Sequence, residues 1–276
     1  MIDLAPNNPY ALSIASPIIA AAGSLGYGVE VARHLGLGAR PASSGLGAMV
    51  TRSTSLRPCK ARPMPEIIET SAGLLYRGWE HNPGLRAVRE RFAPVWATWE
   101  LPVVVSLWGE GASELAEAAA LLEGVAGVMG VELPLAVHGA LTPESAGRLV
   151  AAVRRATVLP LIVKLPGQAP DILALARAVV AHGADTLALI AGLPAIAARP
   201  DGTLAEGWLC GPAIAPLALA LVAAVCAEAT VPVIGMGGVR SAADARAMLT
   251  AGATAVGLGS AILADLRAGA RIAGGL

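Results

Sequence analysis

VPVIGMGGVRSAADARAMLTAGATAVGLGSAI, residues 231–262, contains the same local pattern twice. An apolar run, 232–237, ends in Gly237–Gly238 and is followed by residues of helical period. A second apolar run, 255–260, ends in Gly259–Ser260 and is followed by another such segment. Between them SAADARAMLTAGA has the start and stop signals of a helix: Ser241 as N-cap, Asp244 in the first turn and Gly252 at the end. Two glycine turns beside two helix N-termini offer free N–H groups and favourable dipoles to an anion. Taken alone, either pair could simply end a strand. Together, at consecutive strand ends, they point to a phosphate.

The rest of the chain repeats the unit. Apolar runs at 17–23, 48–53, 102–107, 128–133, 160–165 and 186–191 precede the two already described. Amphipathic segments lie near 29–36, 85–97, 112–123, 143–155, 170–182, 212–228, 241–251 and 260–268. Strands apolar on both faces, alternating eight times with helices, predict an α/β fold: a (β/α)8 TIM barrel, with a short N-terminal β extension, as one domain over 1–276. A doubly wound sheet is the alternative. It would want its glycine-rich turn after the first strand, where AAGSLGYGVE is only a loose version. The phosphate-like turns instead fall after strands seven and eight, where barrels place them.

Composition excludes several functions. Twenty basic residues balance twenty acidic ones, and aromatics are 3% of the chain. That balance does not suit a nucleic-acid or anionic-membrane surface. No apolar run reaches the roughly 18 residues needed to span a bilayer. The N-terminus lacks the basic start of a signal peptide. Cys59, Cys210 and Cys226 have no metal-ligand spacing and suit a reducing cytoplasm.

Lys164, ending LIVKLPG, is a lysine on an otherwise apolar fifth strand. Either it meets an anion or polar group inside the barrel mouth, or it is solvated at the strand end. Arg52, ending AMVTRS, is a second such cation. Arg57 and Lys60 read as surface charge.

PIIAAAGSLGYG, VTRSTSLRP, HNPGL, VELPL, VKLPG, GPAIAPLAL and the 231–262 stretch follow one another as they do in the dihydroorotate dehydrogenase family. The chain resembles that family over nearly its whole length, most closely its soluble class. The resemblance implies an FMN-binding barrel oxidising dihydroorotate to orotate in pyrimidine biosynthesis. It implies that Gly237, Gly238, Gly259 and Ser260 hold the FMN phosphate. Lys164 would lie by the flavin N1/C2 carbonyl, with Ala22, Gly23 and Ser24 along the isoalloxazine. Gly211 and Ser106 would join the cofactor set, Ser106 in place of an asparagine. Arg52 would replace a lysine near flavin and substrate, with Tyr76, Trp79 and Asn82 in the substrate pocket. NAD-linked members pair with an electron-transfer subunit carrying FAD and an iron–sulfur cluster. This chain could not ligate a cluster, so such a subunit would be separate. A homodimer is also expected.

The substrate half of the pattern is altered. The soluble class carries a loop resembling N-x-S-C-P-N after strand four, whose cysteine is the base. Here ELPLAVHG puts Val137 at the cysteine and Pro134 and Gly139 at the asparagines. Tyr76 and Ala191–Gly192 replace further asparagines. His138 is the titratable side chain left in that loop, either a substitute base or an exposed histidine. Tyr76, Trp79, Trp108 and Trp208 either form a lid over the mouth or pack in the core. Glu132 reads as structural. Three functions follow: a flavin oxidoreductase with another substrate, a non-catalytic flavin-binding or empty partner subunit, and dihydroorotate oxidation through a rearranged site.

Overall fold

The computed structural model describes residues 1–60, 65–78, 80–138, 141–199 and 201–276. Eight parallel strands close on themselves: β1 (Ile18–Ala20), β2 (Ala48–Val50), β3 (Val103–Ser106), β4 (Gly130–Pro134), β5 (Leu161–Lys164), β6 (Thr186–Leu189), β7 (Val233–Met236) and β8 (Ala255–Leu258). Each pairs with the next in sequence, and β8 pairs with β1. The expected TIM barrel is the fold.

Strand alternation sorts the side chains into two apolar layers. Ile19, Val50, Val104, Ile162, Ala188, Ile234 and Ala255 fill the barrel. Their neighbours, such as Ile18, Val103, Val105, Leu161 and Val163, pack outward against the helices. Two steps on from the inward Val104 and Ile162 come Ser106 and Lys164, both buried in the mouth. Glu132 lies opposite Ser106 in the β3–β4 register, and the same ladder continues into β5. A barrel filled with aliphatic side chains thus ends in a polar layer.

The N-terminal extension closes the opposite end. Ile2–Asp3 pairs antiparallel with Ser13–Ile14. Leu4, Leu12 and Ile14, fully buried, join the barrel-interior cluster. Asn8 pins this ribbon by donating to the Val158 carbonyl and to Asp185, each at 3.0 Å.

Three helical expectations need correction. The 29–36 segment is helical only over Ala32–Leu35, stopped by Gly36 at φ 70°. The 85–97 segment contains a wider turn, Val88–Phe92, just ahead of Pro94, whose nitrogen has no hydrogen to continue the ladder. The last segment ends at Ala264, because Asp265 is extended and accepts from the Arg267 N–H, and helix resumes over Ala268–Ala273.

Sequence reading also missed a four-stranded antiparallel sheet beside the mouth. Its strands, in spatial order, are Leu193–Ala198, Leu204–Cys210, Gly73–Tyr76 and Ile67–Thr70. A hairpin inserted after β6 thereby pairs with a hairpin inserted after β2. Trp208 stands opposite Tyr76 across this junction.

Candidate active site

The two glycine turns quoted above come together. Gly237, Gly238, Gly257, Gly259 and Ser260 line one side of a pocket at the carboxyl ends of the strands. Gly237 and Gly238 sit at φ 118° and 76°, in the region where a side chain is strained. A Cβ at Gly237 would lie 2.6 Å from Ala218 Cβ, and one at Gly238 would lie 2.7 Å from Ala215 Cβ and from the Gly211 carbonyl. The helix behind therefore leaves room only for glycine, and backbone amides face the pocket instead of side chains. Among the described residues no backbone carbonyl accepts from the N–H groups of Gly238, Gly259 or Ser260. Such a concave set of donors suits a phosphate.

At the other side of the pocket Lys164 has its anion. Its Nζ donates to Glu132 Oε1 at 2.8 Å, and Glu132 is 1% exposed. Ser106 Oγ donates to the same oxygen at 3.0 Å and lies 2.9 Å from Ser53 Oγ. Glu132 Oε2 is buried without a partner. Lys164 and Ser53 both line the pocket, so this polar cluster reaches the cavity through two side chains. Lys164 is the only charged residue among the described residues of that lining.

Apolar residues make most of the remaining wall. Ala21, Ala22, Ile190 and Met236 come from strand ends, Pro134, Ala136 and Val137 from the loop after β4, and Tyr76, Trp208 and Cys210 from the covering sheet. Burial pushes the Cys210 thiol up to about 11, although Lys164 opposes it. Burial also raises the Tyr76 hydroxyl against the pull of Arg52. Both groups stay protonated near neutral pH and can donate hydrogen bonds but not accept protons.

Several expected residues lie elsewhere. Arg52 does not line the pocket: its Nη1 reaches His81 Nδ1 at 3.3 Å and the His81 carbonyl at 3.2 Å, and Nη2 lies 3.7 Å from Glu66. Glu66, leading into the covering sheet, and His81 hold the guanidinium behind the wall, beside the Tyr76 hydroxyl. Asn82 is consumed in its own loop, accepting from Ser55 and Gly84 N–H groups and donating to Ser55 Oγ and the Glu80 carbonyl. Ser24 Oγ donates to the Ala21 carbonyl, and Gly23 sits beneath the Tyr76 hydroxyl; neither reaches the lining that Ala22 joins. Ser106 stands behind Ser53 rather than on the wall, whereas Gly211 is on it.

His138 faces a separate cavity with Trp108, Glu110, Ser145 and Arg148, and Val137 divides the two. Burial lowers the His138 pKa and its Nε2 has no partner. Of the four aromatics, Tyr76 and Trp208 line the pocket and Trp108 lines the other cavity, while Trp79 and Gly139 lie outside the described residues. Ser53 was missed. It follows Arg52 in VTRSTSLRP, just past a strand end, where alternation no longer tells which side chain faces in.

Among the described residues no group of His, Cys, Asp and Glu could hold a metal ion, and no helix is long and apolar enough to cross a membrane. All three cysteines are free.

Comparison with known proteins agrees with the geometry. The family described as dihydroorotate dehydrogenase matches residues 7–276. A Geotalea daltonii protein named dihydroorotate dehydrogenase B (NAD(+)), catalytic subunit, is 37% identical over 278 residues, covering 96% of this chain and 89% of its own. A Geobacter sulfurreducens protein of the same name is 36% identical over 275 residues, covering 95% and 88%.

Proposed function

The chain belongs to the dihydroorotate dehydrogenase family, and from that premise we propose that it is an FMN-dependent oxidoreductase whose substrate is not dihydroorotate. The pocket residues fit the cofactor. The amides of Gly238, Gly259 and Ser260 would hold its phosphate, Ala21, Ala22 and Met236 would flank its ring system, and Lys164 would meet the ring's electronegative edge. Bound FMN supplies two-electron redox chemistry, accepting a hydride equivalent. Lys164, buried and fixed by Glu132, offers positive charge where negative charge develops.

The observation that carries the substrate reading is the wall opposite the amides. The one charged residue among its described residues, Lys164, is already paired with Glu132. A carboxylate-bearing substrate would find no unpaired cation there among the described residues, and desolvating it would go uncompensated. Val137, at the position of the family's base, accepts no proton. Tyr76 and Cys210 instead present protonated donors beside the Trp208 ring.

The relatives' names favour a second reading, dihydroorotate oxidation through rearranged contacts. They also support a separate electron-transfer subunit as partner, since each names a catalytic subunit of an NAD-linked enzyme. One experiment separates the readings. Purified protein is titrated with FMN and the quenching of flavin fluorescence recorded; dihydroorotate is then added without oxygen. Saturable quenching with no bleaching is the expected result. Bleaching would establish the second reading, and a protein that takes up no FMN would sink both in favour of a non-catalytic subunit.

A further inference from the structure

The polar cluster below the pocket has a direction. Ionised Glu132 carries no hydrogen, so in the 3.0 Å contact Ser106 must donate to it. A serine has one hydrogen to give. With its own committed to Glu132, Ser106 accepts from Ser53 across 2.9 Å. Ser53 in turn has given its hydrogen inward, so it presents lone pairs to the pocket it lines. Both hydroxyl hydrogens point from the cavity toward the buried carboxylate.

We infer that Ser53 is the proton acceptor of this pocket, and that Ser106 passes the proton on to Glu132. The inference rests on the oxidoreductase reading above and adds to it the group that replaces the missing base. For oxidation of a saturated CH–CH unit the bookkeeping closes. One C–H bond breaks and its proton goes to Ser53 Oγ, while the Ser53 hydrogen moves to Ser106 Oγ and the Ser106 hydrogen to Glu132 Oε1. The electron pair left behind forms the new C=C bond. The neighbouring carbon loses hydrogen with its electron pair, as hydride, to the flavin oxidant.

Charge balances along with the atoms. Before the step Lys164 and Glu132 neutralise each other at 2.8 Å. Afterwards Glu132 is neutral and the charge of Lys164 is free to face the negative charge that the oxidant has gained. Lys164, which holds Glu132 at 2.8 Å, also lines the pocket itself. Glu132 is 1% exposed and its second oxygen has no partner, so solvent does not compete for the proton in the buried layer.

Infrared difference spectroscopy of the FMN-loaded protein, photoreduced without oxygen or substrate by the sacrificial electron donor EDTA, with water in the pocket standing in for the substrate C–H as the proton source to Ser53, tests this directly. Reduction should raise a protonated-carboxyl C=O band that moves in D2O and is missing from Glu132→Gln. In Ser53→Ala and Ser106→Ala the band should rise on the order of a hundredfold more slowly, the size of effect expected for a lost acid–base group, with Ser106→Thr restoring the rate. A wild-type protein that binds and reduces FMN without that band overturns the inference and leaves the oxidoreductase reading standing. Wild-type kinetics in both alanine variants overturn the relay even if Glu132→Gln fails to fold. Absence of FMN binding removes both readings together.

Discussion

Lys164 shows how much one position can reveal and what it conceals. Its placement was legible, because Ile162 and Lys164 are two apart on a strand whose interior side is known, and a lysine there needs an anion. The anion was less legible. Glu132 sits on another strand, and only the barrel register brings it within 2.8 Å. Arg52 is the converse case: also a strand-end cation, it is turned aside by Glu66, fourteen positions along a loop that no periodicity describes. The pair makes a quantitative prediction. Lys164→Met strands a buried carboxylate and should destabilise the fold by about 3–5 kcal/mol, whereas Lys164→Met with Glu132→Leu should recover most of that loss. Urea unfolding of the three proteins measures both losses, and equal loss in the single and double variants would rule out the pairing as the cause.

At the level of elements, local signals served the helices well where caps were present. The Ser241 helix, Ala242–Thr250, has a complete capping box: Ser241 Oγ accepts from the Asp244 N–H, and Asp244 accepts from the Ser241 N–H at 3.0 Å. Burial pushes the Asp244 carboxyl up, but its hydrogen bonds to Ser241 and the Arg240 N–H outweigh that and hold its pKa below the ordinary aspartate value. A lowered folded-state pKa means stability that is present above the unfolded value and lost as pH falls through the folded one. Asp244→Asn should therefore lower stability near neutral pH, by under about 1 kcal/mol for a group only partly buried, and make no difference once the carboxylate of the parent is protonated. Thermal melts over a series falling from neutral pH through the ordinary aspartate range compare the two; a difference that does not shrink as pH falls would exclude the carboxylate's charge. The covering sheet was not read, although its signal was there. Residues 193–198 alternate in exposure, and RPDG is turn sequence. The second strand of that hairpin, Leu204–Cys210, pairs with Gly73–Tyr76, over a hundred residues earlier, and such pairing has no local signature.

For the molecule as a whole, the eight-fold alternation was enough to name the architecture, and the twin glycine turns were enough to place the pocket's amide side. The opposite wall depended on which loops cross the mouth, a matter of long-range packing. A ligand that binds only the closed barrel should stabilise all of it. FMN at a hundredfold excess over its Kd should add about 2.7 kcal/mol and raise the melting temperature measurably. Differential scanning fluorimetry with FMN, and with riboflavin, which lacks the phosphate, checks this. The larger rise should come from FMN, and an equal rise from both would count against the amide cradle.

The cross-strand meeting of Tyr76 and Trp208 divides the gene into two kinds of territory. The codons for the glycine turns lie at the end of the chain, in the barrel itself, whereas the covering part of the wall, Tyr76, Trp208 and Cys210, is encoded in two hairpin insertions, 67–76 and 193–210. Mutations in the hairpins can reshape what enters the mouth while leaving the barrel's ladder and its glycine turns untouched. Change in what enters the mouth can therefore run ahead of change in the glycine turns, and a library confined to those two segments is the natural starting point for redirecting this pocket.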